Sequence, residues 1–454
     1  MLPWAAPVVA LALARGAFLA VLVPPFQSPD EPAHFDYVQR LAEVGRLADP
    51  GTPGGRLEGT ASGCDELSPE SEALRGLVRA SFFHRERPVP SADRLRLPPD
   101  TPQARFTPLC SSASVYGPLY YLVAAGAYLA VHDAPLPSRL LAARLSSVLW
   151  GALGALAAFL AGLWLFGDAR SGFCLGLAYA LQPMQSLMFS TVNNDAALYA
   201  ATAAAFAAAA RRYRDPASRG AWAAFAIASI VAAMAKPTFL LVVPALLVAF
   251  ATASGPRRRA SWLAGALALL PAIAVGVAWQ FWRASSPWGA PSAAASGGPI
   301  QTFPVDFPSA SGAEALWGKY YWMNWGWHDL RLPIAYYRWL EILLVLALLG
   351  CILGWRRFAD DERGLIVVVA LGTLAMLLPL YALAYQLQRA TGESFLQGRY
   401  LLPLFVPQAA AIMAGLRGLA RRAGASEDPA FALPLALAMM VGASALHGLA
   451  RYYA

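Results

Sequence analysis

The chain has almost no lysine: Lys236 and Lys319 are the two copies, in a basic total of 35 residues that is otherwise arginine. Charge of either sign is scarce, 14% of residues where soluble domains carry about 25%. The four cysteines form no CxxC, and no HExxH occurs, so metal-ligand spacing is missing. The first segment, residues 3–24, lacks a basic leader and an A-x-A cleavage site, and it reads as an uncleaved span. No internal repeat and no paired broken helices are visible, which removes the inverted-repeat signature of a transporter. The formal charge of +8 is spread over short loops and builds no basic domain, which excludes nucleic acid as a partner.

What is present is hydrocarbon. Hydrophobic residues make up 58% of the chain and the mean hydropathy is +0.47, so the lipid bilayer is the solvent. A spanning helix needs about 20 mainly apolar residues. Runs suited to spanning are Pro3–Pro24, Arg139–Phe166, Ser171–Ser190, Asp195–Ala210, Ala221–Ala235, Thr238–Ala253, Ser261–Trp282, Tyr336–Gly354, Gly364–Tyr385, Tyr400–Leu416 and Ala430–Ala450. The expected fold is therefore an all-α polytopic membrane protein of about 11 transmembrane helices, forming a single membrane domain over residues 1–454.

Arginine sorts the loops. GDAR (167–170), RRYRDPASR (211–219), PRRR (256–259), WRRFADDER (355–363) and RGLARR (417–422) go to the cytoplasm by the positive-inside rule. TVNND (191–195), KPT (236–238) and QRATGESFLQG (388–398) fall outside. Residues 25–138 and 283–335 then form two large extracytoplasmic loops. The apolar run Tyr116–Val131 reads as a helix lying in the interface, begun by YGPLYY; a further crossing with a cytoplasmic first loop is the alternative topology. The Pro-, Gly-, Arg- and Glu-rich stretch Asp49–Arg105 reads as lacking regular structure. Cys64 and Cys110, the two cysteines of that loop, are expected to pair in an oxidising compartment.

Two features are costly for a membrane chain. Arg15 lies inside the first span, where a charge costs about 2.5–3.5 kcal/mol on insertion scales, so it faces the bundle, as a structural ion pair, or snorkels. Just past that span, PPFQSPDEPAHFDYV places Asp30, Glu31, His34 and Asp36 together. A base that deprotonates an acceptor hydroxyl beside a lipid phosphate needs this depth; a helix N-cap with acids complementing the dipole is the competing reading.

Several other residues are placed for binding. Lys236 lies at the outer end of a hairpin, where it holds a lipid phosphate or snorkels. Gln397, Arg399 and Tyr400 open the tenth run, where a guanidinium can grip phosphate or make a structural pair. Asn193, Asn194 and Asp195 start the fourth run, as a cap or a substrate contact. The aromatic stretch LWGKYYWMNWGWHDLRLP, with Trp325, is either an interface belt or a platform for sugar rings; His328 and Asp329 beside it suit an acceptor or a divalent metal. No other cofactor is implied.

The Asp-Glu pair after the first span, the long first loop and the Gly-Pro-Leu-Tyr-Tyr interfacial helix resemble the C-fold (GT-C) membrane glycosyltransferases, which include the protein O-mannosyltransferases and aminoarabinose transferases. PDEPAHF (29–35), NWGWHDLRLP (324–333) and FLQGRYLLPL (395–404) more closely resemble a bacterial membrane family of undetermined function usually placed beside them. The resemblance implies an inverting transfer from a polyprenyl-phosphate-linked sugar to a glycan, lipid or protein acceptor of the cell envelope. It also implies a site on the extracytoplasmic face of the cytoplasmic membrane. It makes Asp30 the general base and Glu31 its neighbour, orienting the acceptor or raising the basicity of Asp30. Pro32 departs from the aromatic or small residue that often follows the pair. The competing functions are a transporter or flippase for lipid-linked sugars, which predicts charges deep in several spans, and a non-catalytic assembly factor.

Overall fold

The structure is a computed structural model that describes residues 2–28, 30–45, 47, 68–82, 112–252, 258–285, 319–325, 330–358, 360–391, 397–425 and 428–453. Among these, the fold is all-helical, with a single isolated β-bridge between Trp325 and Leu330. The helices are α1 (Leu2–Leu22), α2 (Glu31–Val44), α3 (Pro69–Phe82), α4 (Leu119–Leu129), α5 (Leu136–Phe166), α6 (Ala169–Leu181), α7 (Pro183–Ser190) and α8 (Asp195–Arg214). They continue as α9 (Arg219–Ala235), α10 (Phe239–Thr252), α11 (Arg258–Ser285), α12 (Ile334–Gly354), α13 (Asp360–Thr391), α14 (Phe405–Arg422) and α15 (Ala432–Tyr453). A 3-10 segment, Gly398–Leu404, leads into α14.

Among the described residues, seven helices are long and apolar enough to cross a membrane: α1, α5, α11, α12, α13, the unit formed by Gly398–Leu404 and α14, and α15. Each of the eleven expected runs is helical, but Ser171–Ser190 is two helices. Pro183 has no N–H to continue α6, and the Gln182 side chain caps α7 by accepting from the Gln185 N–H at 2.5 Å. α4 is a separate short helix, as the sequence suggested.

The Asp49–Arg105 stretch also departs from expectation, because it contains α3. Ser68 caps α3, its Oγ accepting from Ser71 N at 3.2 Å. A polar clamp then fastens α3 to the bundle: Arg139 pairs with Glu70 at 2.5 Å, and Gln39 donates to Glu70 at 2.6 Å. Cys64 and Cys110 lie outside the described residues.

α5 is the hub, packed on α1, α4, α6, α7 and α8. α8 is almost an alanine rod, buried along most of its length, and small side chains let it lie close against α5 and α9. The same small-residue logic brings α12 and α14 together. A Cβ on Gly350 would sit 1.8 Å from the Gly415 carbonyl oxygen, so only glycine fits. The outward faces carry the bilayer's share of leucine, among them Leu263, Leu267, Leu348 and Leu378.

The two ends of the bundle differ in kind. At one end the arginine-rich loops meet: Arg214 donates to the carbonyls of Trp164 and Leu165, Arg417 pairs with Asp428 at 2.7 Å, and Arg421 pairs with Glu362 at 2.8 Å. At the other end Asp30, Asp195, Lys236 and Arg399 converge. Among the described residues, the loop ends that carry Arg214, Arg417 and Arg421 thus lie apart from those that carry Asp195 and Lys236.

Candidate functional site

The chain leaves α1 through Pro24 and Pro25, whose rings fix φ, and then bends at Phe26 (φ 61°) and Asp30 (φ 66°). Left-handed backbone is unusual for these residues, above all for a bulky Phe, and such conformations concentrate at functional sites. The bend sends two neighbouring carboxylates in opposite directions.

Glu31 points inward and is saturated. Its Oε1 accepts from Arg144 Nε at 2.8 Å and from Val192 N at 3.0 Å; its Oε2 accepts from Arg144 Nη2 at 2.7 Å and from Phe26 N at 3.0 Å. Arg144 also donates to the carbonyls of Ala20, Val23 and Pro24. This pair ties the end of α1, the bend, α5 and the start of α8 into one unit. The expected role for Glu31, orienting an acceptor or tuning Asp30, therefore gives way to a positioning one, since every Glu31 lone pair is already engaged.

Asp30 points the other way. It occupies the N-cap position of α2, but its side chain makes no capping bond; it pairs instead with Arg399. Asp30 is 40% exposed and Arg399 only 2%. Partial burial by itself would raise the Asp30 carboxyl, but Arg399, with His34 and Lys236 nearby, pulls it down to about 2.

A second pair stands beside the first. Asp195 opens α8 and accepts from Lys236 at 2.7 Å. Lys236 follows the last residue of α9 in an extended conformation, and its ammonium lies 5.3 Å from the Tyr116 ring centroid and 5.9 Å from that of Tyr400. Gly117 permits this arrangement: a Cβ there would come within 2.0 Å of the Met234 carbonyl oxygen, so the YGPLYY turn can press against the end of α9 only as glycine.

Aromatic rings line the approach. His34 stacks between Tyr116 and Tyr121 at centroid distances of 5.7 and 5.9 Å, and its Nδ1 lies 2.7 Å from the Tyr121 hydroxyl. Burial pushes the His34 imidazole down to about 4; Asp30 and Asp195 oppose the fall, while Lys236 and Arg399 reinforce it. Tyr199 donates to the Arg399 carbonyl at 2.9 Å and fixes the 3-10 turn.

The pairs leave capacity unused. Arg399 Nε, Asn193 Nδ2, Asp195 Oδ2 and Gln397 Oε1 are buried atoms with no hydrogen-bond partner among the described residues. Buried polar atoms are normally satisfied, so an arrangement with both donors and acceptors to spare suits a ligand bearing both, as a sugar phosphate does. Asp30, His34, Asp195, Lys236, Arg399 and Tyr400 are thereby gathered from four separate stretches of chain, with Gln397 at the edge.

One expected residue falls elsewhere. Trp325 is fully buried and spends its indole N–H on the Pro183 carbonyl at 2.9 Å, so it braces the break between α6 and α7 and offers no ring face for a sugar. Asp329, with His328, lies outside the described residues. No group of three metal-ligating side chains occurs among the described residues. The residues not foreseen are Arg144 and Arg139, and the signal for both was an arginine inside an apolar run, which needs a counter-charge.

The chain matches the model of a family described as a predicted membrane protein, DUF2142, over residues 13–407, a stretch that holds every member of the two ion pairs. No curated protein matches it.

Proposed function

From the premise that the chain belongs to the DUF2142 family of predicted membrane proteins and is a multi-pass, all-helical membrane protein, we propose that it is an inverting glycosyltransferase. It moves a sugar from a polyprenyl-phosphate donor to a hydroxyl acceptor, a glycan, lipid or protein of the envelope. In this reading all eleven apolar runs span, the arginine-rich end faces the cytoplasm of the cytoplasmic membrane, and the ion-pair end faces outward at head-group depth. The observation that carries it is the two carboxylates paired with buried cations, Asp195 with Lys236 and Asp30 with Arg399, with unpartnered donors and acceptors around them.

The resting pairs suggest the order of events. A carboxylate held at about 2 by a guanidinium is a weak base. The donor phosphate competes for Arg399 and Lys236, and a guanidinium that turns to phosphate releases Asp30. The acceptor oxygen then attacks the anomeric carbon as Asp30 takes its proton. The bond from that carbon to the phosphate oxygen breaks, and the lipid phosphate leaves with the electron pair, stabilised by Arg399 and Lys236. Glu31 and Arg144 keep the bend in place.

Mass spectrometry of the purified protein tests the reading: a co-bound polyprenyl-phosphate sugar is expected, retained in Asp30→Asn and lost in Arg399→Gln. Absence of any such lipid, with no transfer to added acceptors, removes the proposal. One observation favours a flippase, namely the broken helix at Gln182–Pro183. That function would appear as movement of the intact lipid-linked sugar across vesicles without transfer.

A further inference from the structure

Arg15 lies two turns before the outer end of α1, about 10 Å along the helix at 1.5 Å per residue. The sequence expected an ion pair for it. The structure shows none among the described residues: its Nη2 donates to the Ser186 hydroxyl, while Nε and Nη1 are buried and have no partner. A membrane span does not tolerate an uncompensated guanidinium unless water or a counter-ion reaches it.

The surroundings are built of neutral polar groups. Ser186 donates to the Gln182 carbonyl, Gln182 Nε2 donates to the Tyr321 carbonyl at 2.8 Å, and the Tyr321 hydroxyl donates to Gln408. The network therefore runs from α1 through the break between α6 and α7 to α14. It leaves three buried donor atoms unpartnered, Arg15 Nε, Arg15 Nη1 and Gln408 Nε2, against one acceptor, Gln185 Oε1. A surplus of donors with positive charge calls for a ligand that accepts and is negative. No carboxylate is paired here, so an anion binds without displacing one, unlike at Arg399. Access is lateral: Ala14 and Phe18, beside Arg15 on α1, are exposed on the outer surface of the bundle.

We propose that Arg15, with Ser186 beside the break between α6 and α7, forms a second anion site that takes the phosphate ester of a lipid entering from the bilayer. It is separate from the Asp30 site and does not rest on the transfer reaction. The shared chemistry is a phosphate on a lipid tail, and its source is either the polyprenyl carrier or a bilayer glycerophospholipid.

The test is native mass spectrometry of the delipidated full chain, titrated separately with a long-chain polyprenyl phosphate, phosphatidylglycerol and inorganic phosphate. An Arg399→Gln background silences the other site. One adduct is expected in that background with at least one lipid probe, and the probe that gives it identifies the source. It should vanish in Arg15→Gln and weaken about tenfold in Arg15→Lys, the cost of one charge-assisted hydrogen bond. If Arg15→Gln does not fold, Arg15→Lys and Ser186→Ala carry the test, and each must weaken the adduct. Unchanged occupancy in these variants, no adduct with any probe, or binding of inorganic phosphate alone overturns the proposal. If instead Arg399→Gln leaves wild-type adducts and no lipid-linked sugar co-purifies, the transferase reading fails while the Arg15 site stands.

Discussion

The two ends of the bundle use arginine for different work. At the arginine-rich end the cations are many and sit at the rim, as with Arg421, 52% exposed, against Glu362, and they are matched by carboxylates or by helix-terminal carbonyls. At the other end they are few and buried, and two of them, Lys236 and Arg399, face carboxylates, with Asp195 Oδ2 and Arg399 Nε left without a partner among the described residues. Rim cations orient a membrane chain through their number. Buried ones cannot be justified by number and need a specific partner or a ligand. Counting arginines thus points to the end opposite the candidate site, and what marks that site is an isolated cation beside an acid, with polar atoms left unused around them.

Four measurements sharpen or break that contrast. The largest effect is expected from Glu31→Gln, which leaves Arg144 buried without its counter-charge; loss of about 3–5 kcal/mol of stability should appear as a large fall in melting temperature. A near-normal melting temperature would mean that the pair does not hold the bend. Asp30→Asn should reduce transfer roughly 100-fold or more, the scale of a general base, in amounts of folded protein matched to wild type. Equal loss in Asp36→Asn, whose carboxylate pairs with Arg40 within α2, would instead point to folding of the first loop.

A smaller effect concerns pH. His34 sits at about 4 in the folded protein against an ordinary 6.5, so the unfolded chain binds the extra proton first. Stability should fall as pH drops from about 6.5 to about 4 and then level for this group. Asp30, lowered from 3.8 to about 2, adds a further loss below that window. Thermal melts of His34→Gln should lack the first decline, and an unaltered profile would reject the assignment. The smallest change is expected at the arginine-rich end, where Arg421→Ala should cost no more than about 1 kcal/mol. A cost equal to that of Glu31→Gln would erase the distinction between the ends.

Much of this was legible in the sequence because the bilayer imposes strong periodic demands. Every apolar run coincides with helix, and Asp30, Asp195, Lys236 and Arg399 each stood out at the end of one. Their pairing was not legible, since Asp30 and Arg399 are 369 residues apart and only the packing of α8, α9 and the 3-10 turn brings them together. Glu31 looked like a second acid because its partner, Arg144, lies 113 residues away inside a run read as hydrocarbon. The break after Gln182 was written in Pro183, but an apolar stretch of spanning length masked it. Ser68, Pro69 and Glu70 form a helix-start pattern that the Pro and Gly content of the loop concealed. Trp325 shows the limit of counting aromatics, because density along the chain does not reveal which rings remain accessible.

The weak apolarity of α8, and the shortness of α6 and α7, bear on how the protein is made. None of these three is among the helices that lipid would hold by length and composition. Yet Thr191 to Asp195, which join α7 to α8, supply Asn193 and Asp195 to the site. These segments depend on their neighbours, α8 on α5 and α9, and α6 and α7 on α1 and α5. The convergence of Asp30, Asp195, Lys236 and Arg399 is therefore a product of late assembly, complete only when the parts of the chain that the bilayer would reject have been wrapped by the parts it welcomes.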